Sequence, residues 1–159
     1  MIRKTVLLVV GLALILSGVA MAANNDSHQV TVQVSAINEL AITGGNLTLT
    51  INSATAGLEP DDATDSTTCD LLWTTNQASK KITVATSLAS QNFALKVVAQ
   101  NVSGGSAASE VTLSTTAQDL VTAVGTTTGS CDLAYTASAT AAQGTGSDAH
   151  TVTYTITAA

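Results

Sequence analysis

The chain closes on HTVTYTITAA, residues 150–159. In an extended strand, successive side chains point to opposite faces. Val152, Tyr154, Ile156 and Ala158 therefore share one face, and Thr151, Thr153, Thr155 and Thr157 share the other. This is the pattern of a half-buried strand, apolar toward a core and hydroxylic toward water. It raises the question of what the Val152/Tyr154/Ile156 face packs against, its own domain or another copy.

The same period of two recurs upstream. QVTVQV aligns Val30, Val32 and Val34, and NLTLTI aligns Leu47, Leu49 and Ile51 after a Gly44-Gly45-Asn46 turn. CDLLWTTN and KITVATS, joined by QASK, read as a hairpin, and FALKVVAQNV is the longest strand candidate. EVTLST and CDLAYTASAT add two more, with GTTTGS as a loop before the second. TAQDLVTAV is ambiguous: Leu120, Val121 and Val124 suit one helical turn capped by Thr116, or a strand. Eight or nine short strands at spacings of about 8–12 residues imply an all-β sandwich, immunoglobulin-like or Greek-key in topology. No fixed-period repeat points to a solenoid.

The N-terminus has the order of a secretory signal peptide. Arg3 and Lys4 precede the apolar run Val6–Leu16, and Ala20-Met21-Ala22 supplies small residues for cleavage. The expected organisation is a signal peptide over 1–22 and one β-sandwich domain over 23–159. Membrane contact is expected only through the signal peptide during export, with a periplasmic, extracellular or cell-surface destination. Removing Arg3 and Lys4 leaves Lys80, Lys81 and Lys96 against 11 acids, a net charge of −8. Such a surface repels phosphate backbones, which argues against nucleic acid. Twenty-six threonines follow residue 22, and the aromatic residues are Trp73, Phe93, Tyr135 and Tyr154 alone. β-Branched Thr suits a half-exposed pleated surface.

Cys69 and Cys131 are the only cysteines. In an exported protein an isolated pair is most simply one disulfide. Two thiolates with no neighbouring His do not complete a zinc shell. Trp73, inside an apolar triplet, is expected in the core beside Cys69. Residues 52–68 read as one long loop carrying Glu59, Asp61, Asp62 and Asp65. Asp61, Asp62 and Asp65 are candidate calcium ligands, since that cation takes several oxygens; a solvated acidic loop is the plainer reading. His28 and His150 stand without a nucleophile motif, and no catalytic signature occurs. The chain is therefore expected to be no enzyme and to need no cofactor.

The ending GTGSDAHTVTYTITAA resembles the closing strand of bacterial fimbrial subunits and of spore coat protein U-like secreted proteins. Gly146, Val152, Tyr154 and Ile156 carry the likeness. Ala158-Ala159 stands where many fimbrial subunits place an aromatic residue, and the cysteines lie later than the early-strand pair common there. The resemblance implies donor-strand exchange, in which an incomplete sandwich receives a strand from its neighbour. HQVTVQVSA, with Val30, Val32 and Val34, is then either the donor or the first strand of its own sandwich, and the latter is the plainer expectation. The leading expectation is a non-enzymatic structural subunit, fimbria-like or coat-like, partnered by copies of itself or other surface subunits. The alternative is a monomeric adhesion module contacting carbohydrate or calcium through the 52–68 loop.

Overall fold

The computed structural model describes residues 24–159. The chain divides into one unit ending at Gln33 and one running Val34–Ala159. The signal peptide expected over 1–22 lies outside the described residues. In chain order the strands are β1 (Asn38–Thr43), β2 (Ala63–Asp65), β3 (Asp70–Thr75), β4 (Lys80–Thr86) and β5 (Ala94–Ser103). There follow β6 (Ser106–Ala107), β7 (Val111–Thr112), β8 (Gln118–Val124), β9 (Thr127–Ser138) and β10 (Val152–Ala158). One sheet has the order β1-β3-β9-β5-β7, with β2 also on β9; the other has β10-β4-β8-β6. All pairings are antiparallel. The described residues contain no α-helix, only a 3-10 turn at Ala141–Gln143.

The period of two sets the inner faces. Leu71, Trp73, Val97, Ala99, Leu133 and Tyr135 come from the first sheet, and Ile82, Val84, Leu120, Val121 and Val124 from the second; all are buried. Outward positions carry mostly Thr, Ser, Lys and Asp, with Leu72 exposed among them, and one layer of apolar side chains serves both sheets. Trp73 lies flat over Gly129, where a Cβ would collide with the indole. The expected core position of Trp73 is thus observed, with 2% of its surface exposed.

Several local expectations are corrected. CDLLWTTN and KITVATS do not form a hairpin: β3 pairs with β1 and β9, while β4 lies in the opposite sheet between β10 and β8. The 76–79 turn, with Ser79 at φ 56, carries the chain across the core, so the two inner faces oppose each other. Of the two alternatives for TAQDLVTAV, the strand is observed: residues 118–124 of it form β8. A register shift opposite Lys80–Thr83 and a left-handed Ala123 (φ 54) let adjacent Leu120 and Val121 both turn inward. Of GTTTGS only Gly125 and Thr126 are loop; Thr127–Ser130 begin β9, whose twelve residues make it longer than β5. The 52–68 loop contains β2 and an isolated bridge between Ala54 and Pro60.

Candidate functional site: an open groove between two unpaired edges

β10 is the last strand of its sheet and pairs only with β4. Its inward residues Val152, Tyr154 and Ile156 are half-buried and pack against the core. Its other edge offers a row of backbone N–H and C=O groups. Beyond β1 the chain turns at Gly44 (φ 93), where a Cβ would strike the Thr68 carbonyl, so glycine is required there. Residues 46–52 then run with the burial alternation expected of a strand: Leu47, Leu49 and Ile51 half-buried, Thr48 and Thr50 exposed. Yet this segment belongs to no strand and makes no backbone–backbone hydrogen bond among the described residues. The side chains follow the sequence pattern of a strand without its ladder.

Between these features lies a groove of about 1290 Å³. Residues 45–54 form one wall, and the stretch from Gly144 through Val152 and Tyr154 the other; Ile42, Leu95 and Tyr135 line it as well. Ile42 is 49% exposed there, although it shares the inward face of β1 with Leu40. Tyr135 of β9 and Tyr154 of β10 join hydroxyl to hydroxyl across the two layers. Burial raises both phenols above their ordinary pKa. His150 Nδ1 lies 3.1 Å from the buried Thr86 Oγ1 at the start of β10. Glu59 accepts from the Ala141 N–H (2.6 Å), and the Gln143 amide donates to the Asn92 carbonyl (2.6 Å), tying the 139–151 connection to the body.

The segment proposed from sequence as donor or first strand is unpaired. Residues 25–37 belong to no strand, and Val30, Val32 and Val34 are 71%, 84% and 73% exposed. Sequence reading of Val30, Val32 and Val34 as the first strand of this sandwich therefore finds no ladder in the structure. The segment's root is held by Asn76: its Nδ2 donates to the Ser35 carbonyl (2.7 Å), and its Oδ1 accepts from the Ile37 N–H (2.8 Å).

The cysteines are neighbours but not bonded. Cys69 and Cys131 are separate buried thiols in this structure. Both are buried, Cys131 in β9 and Cys69 immediately before β3, but Cys131 lies opposite Leu71 and the Leu133 N–H donates to the Cys69 carbonyl. They are diagonal neighbours, a relation that places Cα atoms about 7–8 Å apart. A bridge favours Cα atoms closer than about 7 Å, so closing it requires the strands to shift. Burial raises both thiol pKa values, with Asp65 and Asp70 adding to the effect at Cys69 and Asp132 at Cys131; Cys131 is pushed up to about 11.

The calcium candidates are not brought together. Asp65 caps its own turn, accepting from the Thr67 N–H, the Thr68 N–H and the Thr68 hydroxyl, which holds its pKa below the ordinary value. Asp61 accepts from the Ser53 hydroxyl at 2.9 Å. Among the described residues no cluster of three or more His, Cys, Asp or Glu side chains forms a metal-binding group. Asp61 and Asp65 therefore serve separate loop contacts, because short carboxylates beside Ser and Thr satisfy local donors first.

The chain matches no protein-family model, and no curated protein or solved structure is significantly similar to it.

Proposed function

We propose that this chain is a non-enzymatic, exported structural subunit that assembles by strand donation. Residues 28–36 of one copy enter the groove of the next and complete an immunoglobulin-like sandwich. The observation that carries this reading is the pairing of two unsatisfied edges, residues 46–52 and β10, across an apolar groove. Buried or half-buried backbone polar groups need partners, and an incoming extended strand supplies them to both edges at once. The groove exceeds the roughly 300–1,000 Å³ of typical small-ligand pockets, which favours a polypeptide occupant. Val30, Val32 and Val34 offer three apolar positions at the spacing of Leu47/Leu49/Ile51 and of Val152/Tyr154/Ile156. Thr31 and Gln33 fall on the donor's opposite side, as on the outward faces of the sheets. The reading of the 52–68 loop as a calcium- or carbohydrate-contacting site draws no support from the geometry, since Glu59, Asp61 and Asp65 are spent on ties within the chain.

The test is size-exclusion chromatography and negative-stain microscopy of the chain lacking residues 1–22. Concentration-dependent multimers are expected. Deleting residues 24–35 is expected to give a monomer with an unchanged β-sheet circular dichroism spectrum. A sharp monomer at every concentration before the deletion overturns the proposal.

A further inference from the structure

The groove and the root of the N-terminal segment lie at opposite poles of the 34–159 unit. At one pole Asn38 pairs with Thr75, Ala158 with Lys80, and the Ala159 N–H donates to the Ser79 carbonyl. At the other, β1 ends at Thr43 opposite Asp70, and the groove is lined by Gly45, Cys69 and Val152. One β1 length, about 20 Å for six residues at ~3.3 Å each, separates the root from the groove's near wall. Residues 24–34 span at most about 36–40 Å when extended. A segment folding back from residue 35 would run, from residue 24 to residue 34, from groove to root, antiparallel to β1 and parallel to β10. Length does not keep the chain from filling its own groove, and the parallel pairing on β10 that self-insertion requires can form, though less stably per residue than an antiparallel one.

What opposes it is Asn76. Residues 35–37 continue the line of β1 past the end of β3, and Asn76 takes the place of the absent ladder partner. Its N–H donates to the Ile37 carbonyl (3.3 Å), its Oδ1 accepts from the Ile37 N–H, and its Nδ2 donates to the Ser35 carbonyl. The turn beneath is braced: the Thr75 hydroxyl donates to Asn38 Oδ1, the Gln77 N–H donates to Thr75 Oγ1, and Asn38 Nδ2 donates to Gln77 Oε1. A reversal at residues 34–38 has to break the three Asn76 bonds. We propose that Asn76 is a clip that denies the N-terminal segment to its own groove and so keeps it for a neighbour. It is a positioning residue, and the inference rests on the strand-donation reading.

The experiment places Val32→Cys and Thr48→Cys, segment and groove wall, in the chain lacking residues 1–22, and adds a bismaleimide cross-linker. With the clip intact, a ladder of interchain products is expected on a denaturing gel. Asn76→Ala is expected to convert that ladder into intrachain product at monomer mass. Ile37→Pro, outside every strand, removes the donor to Asn76 Oδ1 without altering the turn, keeps an extended residue 36 and is expected to do the same. If both variants keep the interchain ladder at the original yield, the clip is refuted while strand donation stands. If the clip-intact chain gives no interchain product, strand donation itself fails.

Discussion

Leu133 is fully buried at the centre of β9, the strand that pairs with β2, β3 and β5. Leu133→Ala opens a cavity where neither sheet can collapse, and a loss of about 2–5 kcal/mol is expected from denaturant unfolding. That is a large part of a typical ~5–15 kcal/mol stability. The thiols and phenols beside it set an alkaline limit. Their folded-state pKa values lie above the ordinary 9.0 of Cys and 10.0 of Tyr, so the folded chain holds protons that the unfolded chain releases. This contribution is complete below pH 9 and is lost as pH climbs toward the folded values, which for Cys131 is about 11. Melting temperature is therefore expected to fall from pH 9 upward, and replacing both Cys69 and Cys131 with Ala should reduce the fall. A bridged pair has no thiols to titrate, so the same measurement under oxidising conditions reports whether the strands shift to close it.

At the scale of elements, the groove makes Ile42 testable. It sits on the inward face of β1 yet is 49% exposed. Ile42→Asp puts a charge among the apolar groups that an incoming strand must desolvate. It is expected to abolish multimers and leave the melting temperature of the monomer little changed, as read by chromatography and thermal circular dichroism. Element existence was largely legible in the sequence, because alternation survives wherever one face is buried. The errors have local causes. The β3–β4 connection looked like a hairpin because sequence shows strand spacing but not which layer receives the second strand. For β8 the sequence left a helical turn and a strand open, because a bulge lets two adjacent residues face inward and mimics a 3.6-residue period. For residues 46–52 the side-chain pattern was right and the ladder was not, since pairing depends on a partner that periodicity does not reveal. The groove was visible only as a question about the last strand, and Asn76 gave no signal: its role arises from where a turn meets a segment 39 residues earlier.

For the whole molecule, what matters is that the root of the segment and the groove occupy opposite poles. On the strand-donation reading each contact joins unlike surfaces, so successive copies add head to tail and produce an open string unless the rotation per step closes a ring. With residues 1–22 removed, as that reading expects, the charge of −8 opposes indiscriminate clumping of copies. Backbone pairing and the three valines must then supply the attraction, and these act only in one register, since a slip by one residue would turn Thr31 and Gln33 inward.

The left-handed Gly44 has a consequence of its own. Because no side chain fits against the Thr68 carbonyl, the chain swings from a paired course into a solitary one at that point. Any bulkier residue there would relocate the 46–52 wall and close or distort the mouth, and on the strand-donation reading such a variant folds but does not assemble. The width of the groove is thus set by a single backbone torsion at a residue with no side chain.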